Sequence, residues 1–323
     1  MMMAAISVKA ALKTLILMAL ASHVICIPMS SDVKAVHLLH RHRRDALNEP
    51  RHVDCVDMTG HEGDYWHVSA GNDAVCGLYV IGDVDTIVQL EITDFDVSCD
   101  DNGLLAVVDG WELQGELFPS PDDVEGGMEA QYRTFCGATA PPSLFTASQN
   151  VALVQFRVPR AGQGFRVRVR FLRNPEPCNV LAPFDATAFT LRNFGSRRNC
   201  TTHIVFPVNV LLINADVRAT SRLGRMRREV SGLSVNCKGS AGTDMVAFMF
   251  GTGLDTAYLD TRMAFCGRRS KAARHAVTLG CSNSALRLTS SGVYHNSVTV
   301  EVSSPSADQL DTFMLRHPHC AAF

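Results

Sequence analysis

Ten cysteines from Cys55 onward fall into two echoing sets, and they narrow the fold of this chain more than anything else in it. The first set is Cys55, Cys76, Cys99 and Cys136; the second is Cys178, Cys200, Cys237 and Cys266. The opening pair is spaced almost equally in both. The closing member of each sits in the same tripeptide, Phe135-Cys136-Gly137 and Phe265-Cys266-Gly267. A last pair, Cys281 and Cys320, has no counterpart in the first half.

The start of the chain explains why so many cysteines can be paired. Lys9 and Lys13 precede an apolar core from Leu15 to Ala21, followed by short residues and a cut site near Val24-Ile25-Cys26. This is the layout of a cleaved secretory signal, expected over residues 1–26, and its core is too short to span a bilayer. Removing Cys26 leaves an even number of cysteines in an exported chain, which reads as a disulfide framework. A zinc site needs close pairs such as C-x-x-C, and none occurs. No later run reaches about 18 apolar residues; His203 to Ala215 is too short and carries Pro207 and Asn209. The chain is therefore expected to be secreted and extracellular, without membrane insertion. A formal net charge of −2 argues against nucleic acid as a partner.

Residues 27–54 read as a basic leader, with His37, His40, Arg41, His42, Arg43 and Arg44 and little periodic pattern. Arg41-His42-Arg43-Arg44 fits the R-x-[KR]-R form cut by secretory-pathway proteases, and equally an exposed basic loop. From residue 55 the period becomes two. Val88, Leu90 and Ile92 alternate with polar residues, as do Val154, Phe156 and Val158. The clearest run is Phe165, Val167, Val169 and Phe171, interleaved with Arg166, Arg168 and Arg170. In the second half Val298, Val300 and Val302 repeat the pattern. Such alternation puts one face of a strand in a core and the other in water. Turn residues punctuate these runs, and no long segment has helical period. The fold class predicted is all-β: two tandem antiparallel β-sandwiches stapled by disulfides, over residues 55–172 and 173–323, each of usual domain size. Asn174-Pro175-Glu176-Pro177 is the connector.

Catalytic motifs are missing. His61-Glu62 with His67 does not make H-E-x-x-H, and Gly239-Ser240-Ala241-Gly242 is no nucleophile elbow. Paired cysteines offer no thiol nucleophile. The reading is a non-enzyme with no cofactor. Asn199-Cys200-Thr201 is an N-glycosylation sequon, and its use requires an exposed turn beside a disulfide. Arg225-Met226-Arg227-Arg228 reads as an exposed, non-periodic loop open to proteolytic nicking. Tyr65, Trp66 and Trp111 are either peptide anchors or core residues.

Several stretches carry a family resemblance. Leu90-Glu91-Ile92-Thr93-Asp94-Phe95-Asp96-Val97-Ser98-Cys99, Val108-Asp109-Gly110, Phe135-Cys136-Gly137 and Gly164-Phe165 resemble the CUB domain. Cys55-Val56-Asp57-Met58, Val108-Asp109-Gly110-Trp111-Glu112-Leu113-Gln114-Gly115-Glu116-Leu117-Phe118, Pro177-Cys178-Asn179-Val180 and Gly251-Thr252-Gly253-Leu254-Asp255 resemble the corticotropin-releasing factor-binding proteins, CUB-like in both halves. That resemblance implies pairing of neighbouring cysteines: Cys55–Cys76, Cys99–Cys136, Cys178–Cys200, Cys237–Cys266 and Cys281–Cys320. It implies that Arg51 and Asp57 contact the ligand; the plainer role for Asp57 is to cap a turn. The ligand implied is a corticotropin-releasing-factor-like, diuretic-hormone-like peptide hormone, held away from its receptor. The alternative is a CUB-type extracellular adaptor that binds a protein surface such as a protease or matrix component. Many CUB domains hold calcium, but here Gly103 stands where an acidic ligand is needed and Asp100 and Asp101 are out of phase, so no metal is expected.

Overall fold

The computed structural model describes residues 49–321, apart from 72, 142–143, 184–186, 219, 224–225, 230–231, 236 and 238–243. The side chains of 220–223 and 226–229 also fall outside it. So do the expected signal at 1–26 and the Arg41–Arg44 stretch.

The alternating sequence folds as it reads. Gly164–Arg173 is a central strand, antiparallel to Gly63–Val68 on one side and to Thr86–Asp96 on the other. Phe165, Val167 and Val169 are at most 4% exposed, whereas Arg166 and Arg170 face water. Each such apolar side chain adds roughly 1.5–3 kcal/mol by leaving water. Arg51–His52 and Phe145–Thr146 complete the five strands of this sheet. The facing sheet runs Val56–Thr59, Cys76–Ile81, Val151–Arg157, Leu104–Val108 and Tyr132–Phe135. Leu78, Val80, Val154 and Phe156 meet Val88, Leu90, Val167 and Val169 in one core.

From residue 180 a second sandwich forms by a different route. One continuous ladder of strands folds over on itself, because Asp260–Arg269 belongs to both layers. Its first part pairs with Met245–Gly251 and its last residues with Val208–Val217. Asn283–Thr289 and Ser297–Ser303 end in opposite layers. Phe248, Leu286 and Leu288 of one layer pack against Val210, Val298 and Val300 of the other.

Disulfides join Cys55 to Cys76, Cys99 to Cys136, Cys178 to Cys200, Cys237 to Cys266 and Cys281 to Cys320. The first bridge in each half does the same job. Cys55–Cys76 precedes a parallel pairing of Val56–Thr59 with Cys76–Ile81, and Cys178–Cys200 precedes a parallel pairing of Val180–Leu181 with Asn199–Ile204. With Arg51–His52 on Gly63–Val68, these short edge pairs are the parallel exceptions to the antiparallel expectation. In both bridged pairs the intervening chain crosses to a strand of the other layer and returns, as parallel neighbours require, and the bridge pins the start of the edge strand beside its neighbour.

Three further expectations change. The leader expected over 27–54 ends earlier, since Arg51 and His52 are already a sheet edge. Of the 225–228 stretch, residues 226–228 are no irregular loop: the described backbone forms a hairpin of Thr220–Leu223 with Met226–Glu229. A helix, Ala307–Arg316, appears where no helical period was read. It rests on a capping box between Ser306 and Gln309 and buries only Phe313, too narrow a stripe to register as a pattern.

Gly110, at φ +123°, turns the chain into the Trp111–Leu113/Glu116–Phe118 hairpin, where a Cβ would strike the Phe118 carbonyl. Beside it, Asp109 accepts hydrogen bonds from the Ser148 amide at 2.7 Å and hydroxyl at 3.0 Å.

Candidate functional site

Arg51 and Asp57 lie six positions apart in sequence on edge strands of facing sheets. Arg51 sits opposite Tyr65 in the parallel pair with Gly63–Val68. The chain then crosses the open side of the sandwich. The Val53 amide bonds the Trp66 carbonyl at 2.8 Å, the bridge at Cys55 fixes the crossing, and Asp57 enters the other sheet opposite Leu78.

Tyr65 is what the two charges share. It is 2% exposed, and its hydroxyl donates to the His61 carbonyl at 2.9 Å and is bonded to the Thr59 hydroxyl at 2.5 Å. The Arg51 guanidinium stands 6.0 Å from the Tyr65 ring centre. Burial pushes the Tyr65 phenol up; the Thr59 bond and the Arg51 charge act against that rise, and the Asp57 charge adds to it. The structure thus sets Arg51 over the Tyr65 ring and Asp57 on the facing edge strand two residues before Thr59, the partner of the Tyr65 hydroxyl. Asp57 does not cap a turn; its Oδ1 accepts the next amide, Met58 N–H, at 2.8 Å. On either side of it Val56 and Met58 are 73% and 46% exposed. The result is an edge with charge of both signs and two uncovered apolar side chains.

Val56 and Met58 stand in the sequence only as part of the Cys55–Met58 likeness, with no role of their own, and Thr59 is not marked at all: a Thr–Tyr contact between two edge strands has no spacing signature. Of the aromatic candidates, Trp111 is buried and donates to the Val80 carbonyl at 3.1 Å. Trp66 is half-buried against His52, with its Nε1 3.3 Å from the Pro50 carbonyl. On the basic strand face, Arg168 is taken up by Asp64 at 2.8 Å and Glu91 at 3.4 Å. Asp100 and Asp101 both face Arg160, so a cation already stands against that loop.

A second polar centre lies where the two sandwiches meet. Trp111, Leu117 and Phe118 of the hairpin pack with Leu181 and Leu254 of the second half. Asn150 clamps Leu181 from both sides, donating to its carbonyl at 2.8 Å and accepting its amide at 3.0 Å. The Glu116 carboxylate accepts the Asp255 amide at 3.0 Å, and no Cβ fits at Gly253 beside it. Asp123, its side chain 2% exposed, is ion-paired with Arg287. His203 is fully buried against Phe118, ring centres 5.1 Å apart, and burial holds its pKa down at about 4.

The sequon is part of this junction and lies in a strand, not an exposed turn. Asn199 opens Asn199–Ile204, half-buried, and its Nδ2 donates to Asp123 Oδ1 at 2.9 Å. Thr201 is 1% exposed and its hydroxyl accepts from Arg287 at 3.1 Å. Asn199 borders a cleft of about 810 Å³ lined from the first half by Asp122, Asp123 and Glu125 and from the second by Arg197, Arg198 and Thr289, among others.

All ten cysteines from Cys55 to Cys320 are bonded, so none serves as nucleophile or metal ligand. Among the described residues no helix is long and apolar enough to cross a membrane.

Comparison with known proteins follows the two halves. Residues 48–173 match the family of the corticotropin-releasing factor binding protein N-terminal domain, and residues 180–311 that of its C-terminal domain. The chain is 30% identical over 251 residues to the corticotropin-releasing factor-binding protein of Xenopus laevis, covering 78% of this chain and 76% of that one. It is 29% identical over 269 residues to the human protein of the same name, covering 83% and 79%. Among solved structures, the CUB1-EGF-CUB2 region of human MASP-1/3 aligns over 75% of this chain and 99% of that chain, at 10% identity and a TM-score of 0.26.

Proposed function

Since this chain belongs to the corticotropin-releasing factor-binding protein family, we propose that it is a secreted carrier that binds a corticotropin-releasing-factor-like peptide hormone and keeps it from its receptor. One observation carries this reading: Arg51, 6.0 Å from the Tyr65 ring, and Asp57, across the Cys55–Cys76 bridge on the facing sheet, lie on adjacent edge strands at an open side of the sandwich. Charges of both signs held there by a disulfide orient a polar peptide end. Val56 and Met58, exposed beside them, supply apolar contact for one stripe of an amphipathic helix. The action is equilibrium binding, not chemistry. Secretion rests on the signal expected over residues 1–26 and on the five bridges, which persist in an oxidising compartment. The joint between the two sandwiches falls at the Asn174–Pro177 turn, and Asn199 carries an N-linked glycan.

The test is capture of secreted peptides by the mature recombinant protein, read by mass spectrometry, followed by titration of the recovered peptide. Recovery of a hormone of this class with Kd near the nanomolar range, about −12 kcal/mol, supports the reading. Arg51→Glu and Asp57→Arg each weaken capture by about 2 kcal/mol, roughly 30-fold, with the fold intact by circular dichroism. Unchanged affinity in both variants removes these residues from the site, and retention only of a large protein replaces the carrier with an adaptor.

A further inference from the structure

The joint between the sandwiches carries an open cleft of about 810 Å³ above a tightly bonded floor. The floor is closed: Asp123 is held by Arg287 and Asn199, and Arg287 also reaches the Thr201 and Thr256 hydroxyls at 3.1 and 3.0 Å. The walls are not. Asp122 and Glu125 on one side and Arg197 and Thr289 on the other line the space, and among the described residues their side chains have no hydrogen-bond or ion-pair partner. Acceptors therefore face donors across the gap. Asn199 stands at the boundary between floor and cleft, and it is the one asparagine in the sequence with a sequon.

We propose that this cleft seats the first N-acetylglucosamine units of a glycan on Asn199, which bridge the two sandwiches. The idea rests on use of the sequon, proposed above, and adds where the sugar lies and what it does. The linkage forms between Asn199 Nδ2 and C1 of the sugar. A lipid diphosphate-linked oligosaccharide is the donor; its C1–O bond breaks, the lipid diphosphate leaves, and Nδ2 gives up one proton. The glycosylated amide keeps its other hydrogen, so the bond to Asp123 survives. Sugar hydroxyls donate and accept at once, which suits a gap with carboxylates on one wall and a guanidinium on the other. A peptide can also meet both walls, but nothing tethers it there, whereas the glycan is anchored at the cleft edge by Asn199.

The experiment compares three forms of the full chain. One is secreted from a eukaryotic cell with high-mannose glycans. The second is that protein trimmed by an endoglycosidase to a single N-acetylglucosamine. The third is unglycosylated and oxidised in a bacterial periplasm, which retains Asn199. Mass spectrometry of the Asn199 peptide gives occupancy, and hydrogen exchange reports residues 121–125 and 287–293. The expected result is an occupied Asn199, with the full and single-sugar forms exchanging about tenfold more slowly at 121–125 than the unglycosylated protein. Equal rates in all three forms, with Asn199 occupied, overturn the bridge while the sequon stands. An unmodified Asn199 overturns both. Protection of 121–125 that appears only on adding an amphipathic peptide makes the cleft a peptide site and also overturns the proposal. Hormone affinity, measured separately, reports on the Arg51–Asp57 edge and is untouched by the first two of these failures.

Discussion

Acid should loosen this protein at its central joint, through His203. The ring is fully buried, its Nε2 lies 3.4 Å from Asn283 Oδ1, and its Nδ1 has no partner among the described atoms. Desolvation lowers its pKa from 6.5 to about 4, with the Asn283 contact opposing. The unfolded chain takes up a proton below pH 6.5 that the folded chain refuses until about pH 4. Stability from this group is therefore full above the unfolded value and falls as the pH drops through that window. Taking those two pKa values, the loss between pH 7 and pH 5 is about 2 kcal/mol, rising to about 3 kcal/mol at pH 4. Urea unfolding followed by tryptophan fluorescence reads it out, Trp111 lying in the same cluster as Phe118. His203→Gln keeps a polar side chain but cannot titrate. Its stability at pH 7 falls, yet between pH 7 and pH 5 it should lose about 2 kcal/mol less than the wild type. Parallel pH profiles for the two proteins refute the argument, whatever their absolute stabilities.

Three other outcomes follow from the same geometry. Arg287→Ala leaves the Asp123 carboxylate buried with its ion pair gone and should cost about 3–5 kcal/mol in urea unfolding; a loss below about 1 kcal/mol would show the pair to be solvated. Tyr65→Phe removes the hydroxyl that bonds Thr59 and the His61 carbonyl, so urea unfolding should show a loss of about 1–3 kcal/mol, and hormone affinity at matched folded concentration should fall roughly fivefold, about 1 kcal/mol. Burial raises the Asp109 carboxyl above 3.8 despite the Ser148 bonds and the Arg133 charge. Its folded form thus holds a proton the unfolded form has released, and stability falls as pH rises from 3.8 to the raised value. Asp109→Asn should flatten that part of the profile, and an unaltered slope would place the titration elsewhere.

The strands were legible because each is half-buried. Phe165 to Phe171 shows its two faces in the bare sequence, and the sheet sets those faces as read. Ala307–Arg316 escaped notice because it buries one side chain, and a helix held mainly by its cap leaves little periodic trace. The layering of the second half was hidden as well. A strand such as Asp260–Arg269, shared by two layers, alternates like any other, and only long-range pairing shows the fold-over. For the site, Arg51 and Asp57 came from family likeness alone; their meeting at Tyr65 depends on edges of two different sheets. The joint was less legible still. Asp123 and Arg287 are 164 positions apart, and no local pattern links them. The sequon was visible, but a motif of three residues says nothing about whether its asparagine lies in a turn or a strand.

Asp57 has a second consequence. Val56–Thr59 is an outermost strand with apolar side chains in water, the kind of border along which copies of a chain zip together. By folding its own carboxylate over the Met58 amide, Asp57 withholds a donor that a stray strand needs and plants a charge at that seam. The proposed ligand contact and this self-restraint then share one side chain. Removing it should make the molecule stickier, so any loss of capture in such a variant has to be read beside its state of association.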